Sequence, residues 1–328
     1  MGLRLSVLDR SHLKRGRSAA EALRETVRVA RAVEAAGYHR FWVGEHHGVP
    51  GVAGAAPTVL AAAVAARTTR IRVGTGGVML PNHRPLVVAE QFAALAALFP
   101  GRIDAGVGRS VGFTAPVRRA LGAGRAEAER FGEQLTELRN GLAGHGPDEV
   151  PVVAAEGLDI PLFVLATGAG ADTAAQLGLP LVIAAPRGDD RMADAVARYR
   201  ERFVRTTPDS GPHVVLSRSV AVADTAAQAR ELLASEAWAE VRSRRTGVFP
   251  PLVPPDEVRP DQMSQRERTL FENSLRTTIL GTEQQVRDQL AERFARTGAD
   301  ELLVTTSAFD TELLLDSHRR LVTLADRL

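Results

Sequence analysis

Four short stretches combine residue types able to do chemistry. Glu45-His46-His47 sets a carboxylate beside two imidazoles, and imidazole exchanges protons near neutral pH. Gly76-Gly77 follows an apolar run. Paired glycines there fit either a plain turn or a backbone lying close against something flat. Arg109 follows Gly106 and Gly108, so its guanidinium either forks onto an anion over open backbone or is one more surface cation. Thr167, Gly168, Gly170 and Ala171 precede a helical stretch, whose free N–H groups form a ready phosphate cradle. A third dinucleotide-type glycine would fall at Thr173, in mid-chain, so that reading is set aside. Adjacent strand residues point to opposite faces. One histidine of the His46-His47 pair can therefore look into a barrel while the other braces it, and a structural pair fits as well as a catalytic one. No second histidine stands at helical i+3 or i+4 spacing and no HExxH occurs, so no metal site is expected.

These residues need elements to hold them. Apolar, β-rich runs at 3–8, 40–44, 71–76, 103–107, 162–165, 181–184, 214–223 and 302–306 read as strands. Helices fit 20–36, 57–67, 85–99, 126–140, 171–177, 189–205, 226–239, 283–297 and 311–327. Gly37, Pro100-Gly101 and Gly178 punctuate their ends. Eight strands, each followed by a helix, predict a (β/α)8 TIM barrel, with a doubly wound open sheet as the alternative. No Gly/Ser or Pro linker divides the chain, so residues 1–328 read as one domain. In a barrel the four stretches fall at C-terminal strand ends, where active sites sit. The segment 242–280, which carries Phe249-Pro250-Pro251-Leu252-Val253-Pro254-Pro255, cannot be regular helix throughout. It reads as an insertion at the mouth, either a lid or a surface or dimer-contact loop.

Composition narrows the rest. The chain has 328 residues, 45% hydrophobic and 24% charged, the balance of a globular protein with a sizeable core. With no cysteine, disulfides, cysteine-type metal clusters and thiol nucleophiles are excluded. A net charge of +2 and 5% aromatics give neither a basic stripe nor stacking residues for nucleic acid. No run of about 18 apolar residues and no signal-peptide order occurs, so no membrane partner and a cytoplasmic location are expected.

Taken in order, Glu45-His46-His47, Gly74-Thr75-Gly76-Gly77-Val78-Met79-Leu80-Pro81, Arg84-Pro85 with Ala89-Glu90, and Pro100-Gly101-Arg102-Ile103 leading to Gly108-Arg109 resemble the bacterial luciferase-like, flavin-dependent monooxygenases. The resemblance extends more weakly through 166–180 and 299–306. It implies a barrel that binds FMN, or the deazaflavin F420, at its C-terminal mouth. It implies His46 as the active-site histidine, with Glu45 and His47 beside the cofactor. Gly76–Gly77 would hold a non-proline cis peptide against the flavin ring. Arg109 would bind the flavin phosphate, with Thr167, Gly168, Gly170 and Ala171 as a second phosphate loop. The family often carries serines in that loop, whereas this chain must rely there on backbone N–H groups apart from Thr167. The activity implied is oxygenation of a small organic substrate, of the kind met in polyketide-type secondary metabolism, by reduced FMN and O2 through a C4a-peroxyflavin. No NAD(P)H fingerprint is visible, so a separate NAD(P)H flavin reductase would supply the reduced FMN. The family leans to homodimers. An F420-dependent reductase or dehydrogenase, or a non-catalytic flavoprotein subunit, are the alternatives.

Overall fold

A computed structural model describes residues 2–168, 170–184, 188–208 and 210–325. Ala169, inside the expected phosphate loop, and residues 326–327 of the expected last helix lie outside the described residues. The strands in chain order are β1 Arg4–Asp9, β2 Arg40–Val43, β3 Arg72–Thr75, β4 Val78–Met79, β5 Ile103–Gly108, β6 Leu162–Ala166, β7 Leu181–Ile183, β8 Val214–Arg218, β9 Val220–Val222, β10 Ile279–Gly281 and β11 Glu301–Val304. Eight of them (β1, β2, β3, β5, β6, β7, β8 and β11) pair in parallel and close the ring through β11–β1 and β3–β5. The fold is therefore a (β/α)8 TIM barrel, not an open sheet.

Local sequence sets the helices that surround it. Ser18 caps Ala19–Ala36 in a capping box with Glu21, and Gly37 ends it at φ 97°, a left-handed conformation that glycine adopts without a Cβ penalty. Thr282 and Gln285 form the same box at the start of Glu283–Thr297. The helices bury their apolar faces on the outside of the barrel.

Inside the barrel, period-2 alternation stacks side chains in layers. At the bottom lie Ser6, Arg40, Asp104 and Glu301, all buried. Arg40 bridges Asp104 at 2.7 Å and Glu301 at 3.1 Å, Arg72 pairs with Asp104, and Ser6 donates to Glu301. The layer above is apolar, built from Leu8, Trp42, Phe163, Val182, Val215 and Leu303. One step further along β6 and β8, Leu165 and Ser217 line an open cavity.

Some elements differ from the sequence expectation. The run at 214–223 is two strands, because Val220 leaves the barrel ladder. Its N–H donates to Thr306 Oγ1 (2.7 Å), whose hydroxyl donates back to the Val220 carbonyl (2.6 Å), and β9 pairs with β10 outside the ring. The helix at 126–140 is two pieces, Arg125–Glu129 and Phe131–Leu142. The helices Ala115–Leu121 and Gln265–Arg276 were not expected. The second is announced by its Ser264–Glu267 capping box, which stands just beyond the proline-rich run.

Residues 242–280 are the last turn of Ala226–Thr246, a strap with 3-10 turns at Pro255–Glu257 and Pro260–Gln262, the helix Gln265–Arg276 packed against the first in its own apolar cluster, and the start of β10. The strap crosses the loops after β1 and β2. Leu252 exchanges backbone hydrogen bonds with Leu13 and Arg15, and the Gly51 N–H donates to the Phe249 carbonyl. Phe249 stacks on His12 at 5.0 Å.

Candidate active site

The cavity measures ≈ 670 Å³, within the ~300–1,000 Å³ range of small-molecule sites. It opens at the C-terminal ends of the strands, and Glu45, His46, Gly76, Gly77, Arg109, Thr167, Gly168 and Gly170 all line it. His47 and Ala171 do not. Ala171 is buried, and its N–H donates to the Gly168 carbonyl. His47 turns away and donates from Nε2 to Glu45 Oε1 at 2.5 Å. One histidine thus faces the cavity and its neighbour braces, although both lie in the loop beyond β2, where strand alternation does not operate.

Glu45 is the pivot of the wall. Its side chain is fully buried, and Oε1 also accepts from His83 Nε2 at 2.8 Å while Oε2 accepts from the Met79 N–H at 2.9 Å. Burial pushes its carboxyl up, but the His83 and His47 bonds outweigh this and leave it below the ordinary range. β4 and the 3-10 turn Leu80–Asn82 carry the chain round so that Met79 and His83 both meet this carboxylate.

His46 is different in kind. Its Nδ1 is buried with no hydrogen-bond partner, and its ring lies parallel to Phe113, 3° between planes and 5.8 Å between centroids. Burial first, and then the nearby Arg10 guanidinium, lower its pKa to about 4. The imidazole is therefore neutral at pH 7, and proton exchange near neutrality, the sequence expectation for this residue, is corrected to the acid side. Arg10 itself pairs with Glu236 and donates to the Thr305 carbonyl.

The Gly76–Gly77 peptide is cis. These glycines also have a packing reason. A Cβ at Gly77 would meet the Gly106 carbonyl oxygen at 2.7 Å, and one at Gly76 would meet Leu8 Cδ1 at 2.7 Å. Gly108 and Gly168 contrast with them: a Cβ at Gly168 would meet nothing within 4 Å, and at Gly108 nothing nearer than 3.8 Å. Both line the cavity, so their missing side chains leave open room over bare backbone. Arg109 is exposed on the same wall and makes no hydrogen bond or ion pair with another described residue. An unpaired guanidinium beside open glycine backbone and the start of the helix Gly170–Gln176 suits a phosphate.

Sequence reasoning passed over His83, Phe113 and Ser217. Ser217 was findable from alternation along β8. His83 sits between two quoted motifs, and no local spacing marks it, since its partner is 38 residues away. Phe113 lies in the loop after β5, where no periodicity operates. Among the described residues, no helix is long and apolar enough to cross a membrane.

Comparison with known proteins places this geometry in a family. The family profile described as luciferase-like monooxygenase matches residues 3–301. The chain is 35% identical over 317 residues to a luciferase-like monooxygenase of Escherichia coli K12, covering 95% of this chain and 94% of that protein. It is 46% identical over 147 residues, 44% of each chain, to the N-acetyl-S-alkylcysteine monooxygenase of Bacillus subtilis. Among solved structures, apo-MsnO8 superposes with a TM-score of 0.85 at 30% identity, covering 99% of this chain and 98% of that one. At 17% identity, the oxygenating constituent of 3,6-diketocamphane monooxygenase in complex with FMN and an F420-dependent secondary alcohol dehydrogenase share the fold, with TM-scores of 0.78 and 0.70. The match spans the closed barrel and the strand ends that carry the cavity, and this chain belongs to the luciferase-like monooxygenase family.

Proposed function

We propose that the protein is a flavin-dependent monooxygenase that uses reduced FMN and O2 to oxygenate a small organic substrate, of the polyketide type found in secondary metabolism. The observation that carries this reading is the convergence of His46, Gly76–Gly77, Arg109 and the Thr167–Gly168–Gly170 backbone on one cavity. The cofactor fits the residues present: Arg109, Thr167 and the Gly170 backbone, which line the cavity, would hold the phosphate over the room left at Gly108 and Gly168. The Gly76–Gly77 backbone, which lines the cavity, would lie against the ring system.

Reduced FMN, when bound, supplies the two electrons that activate O2. The protein's own part is to position, to exclude water and to hold a proton. Val111, Phe113, Leu165 and Val182 give the cavity apolar walls, which would strengthen electrostatic interactions inside once the mouth is covered. His46, neutral at pH 7, offers its imidazole as an acceptor and a single N–H donor at the cavity wall. Glu45 holds the backbone of that wall through Met79, and His47 holds Glu45. The strap within 242–280 serves as a cover beside the mouth.

A separate NAD(P)H flavin reductase supplies the cofactor, and the working form is a cytoplasmic homodimer. Supporting the dimer, the helices Pro57–Ala65 and Pro85–Leu98 are apolar almost all round, and Val59 and Leu98 on them are each 70% exposed. A helix of that kind is ordinarily covered.

The test is cofactor and oxygen together. FMN should raise the melting temperature more than F420 does. On mixing the protein–reduced-FMN complex with aerated buffer, oxidised FMN should appear later than it does without protein. Stabilisation by F420 instead would select the dehydrogenase reading. Equal oxidation rates with and without protein would overturn the monooxygenase reading.

A further inference from the structure

Glu45, His47 and His83 together have a capacity that flavin chemistry does not use. Each offers one ligand atom, and the three atoms lie within 4.8 Å of one another. The two imidazoles come from different loops, yet both aim Nε2 at the same carboxylate oxygen, at 2.5 and 2.8 Å. That carboxylate is fully buried, and among the described residues no arginine or lysine lies within ion-pair distance of it. Buried charges are ordinarily paired with a cation or coordinate a metal. A cation bound at its Oε1 would pair it.

We propose that Glu45, His47 and His83 form a binding site for a zinc-type divalent transition-metal ion in the wall of the cavity. Two imidazoles and one carboxylate are a recurrent donor set for such ions, leaving a fourth position open to water. Hard cations such as Mg²⁺ and Ca²⁺ prefer all-oxygen sets. Binding requires each imidazole to present a bare Nε2. The proton now shared with Glu45 moves to Nδ1, and because both rings are only half-buried, water can satisfy it there. Glu45 and Met79 line the cavity, so the ion would sit directly behind its wall. The site stands whether or not the cofactor is FMN.

With no cysteine in the chain, Co²⁺ reports on nitrogen and oxygen ligation without thiolate bands. Chelator-treated protein titrated with Co²⁺ should bind one equivalent and develop visible ligand-field absorption, and Zn²⁺ should displace it. His83→Gln and His47→Gln, both at half-exposed positions, should each weaken binding by roughly a hundredfold while circular dichroism stays unchanged. His46→Gln, the neighbour outside the cluster, should bind Co²⁺ like wild type. Wild-type protein that takes up neither metal in equilibrium dialysis, or binding that survives both substitutions, overturns the site and leaves the three residues a hydrogen-bonded brace.

Discussion

At the scale of single residues, two side chains separate binding from chemistry. Arg109 has no partner among the described residues and is exposed on the cavity wall. If it holds a phosphate, the charge-assisted hydrogen bond is worth ~1.5–3 kcal/mol. Arg109→Ala should weaken FMN binding roughly ten- to a hundredfold and leave riboflavin, which has no phosphate, unaffected. Equal losses for both ligands in fluorescence titrations would make Arg109 structural. His46 is held at a pKa of about 4 by burial and Arg10. In histidine NMR titrations, the resonance missing from His46→Gln should move near pH 4 and not near 6.5. A depressed histidine pKa also costs stability in acid. The unfolded chain takes up the proton near 6.5 and the folded chain only near 4, so stability falls as pH drops through that window. His46→Ala should keep its fold and flavin affinity yet divert oxygen to hydrogen peroxide. Wild-type product per NAD(P)H in that variant, measured with a flavin reductase and catalase, would remove His46 from the chemistry.

At the scale of elements, the strap over the loops after β1 and β2 is held by a glycine. A Cβ on Gly51 would run into the Pro250 carbonyl, and the Gly51 N–H donates to Phe249. Gly51→Ala must push the strap outward, at the ~1–3 kcal/mol typical of overpacking. The expected outcome is a lower melting temperature, together with more hydrogen peroxide released per turnover if the strap shields the mouth. A lower melting temperature with unchanged coupling would leave the strap structural. The same element shows how far local signals reach. The proline run excludes a continuous helix, and the capping box of Ser264 with Glu267 is the local signal that starts Gln265–Arg276 beyond it.

At the scale of the whole molecule, the ionic layer at the barrel bottom ties four strands together. Burial pushes the Glu301 carboxyl up, but His213, Arg40 and Ser6 outweigh it and hold the pKa at about 2, against 4.5 unperturbed. A lowered carboxylate pKa contributes stability above 4.5, which is lost as pH falls towards 2. Arg40→Met leaves Glu301 without its guanidinium and Asp104 with only Arg72 and the Trp42 indole N–H. It should cost about 3–5 kcal/mol in urea unfolding at pH 7. The gap to wild type should narrow once the pH drops below 4.5. A gap under ~1 kcal/mol, or one indifferent to pH, would show that the layer is not held by charge.

The sequence by itself determined the barrel, its eight strands and the four stretches at its mouth. Hydrophobic period, caps and turn residues are local, and Arg109 and His46 stand at strand ends that such signals locate. Family resemblance, carried by Glu45-His46-His47 and by 74–81, added the roles. Tertiary structure alone decided what depends on partners distant along the chain. It split the run at 214–223, because Thr306 claims the backbone of Val220. It made His46 neutral, because burial and Arg10 set its pKa. It brought His83, 38 residues from Glu45, into a cluster around that buried carboxylate. Spacing along a chain reports what one element presents, whereas charge, burial and ligand geometry depend on what the other elements bring to the same point.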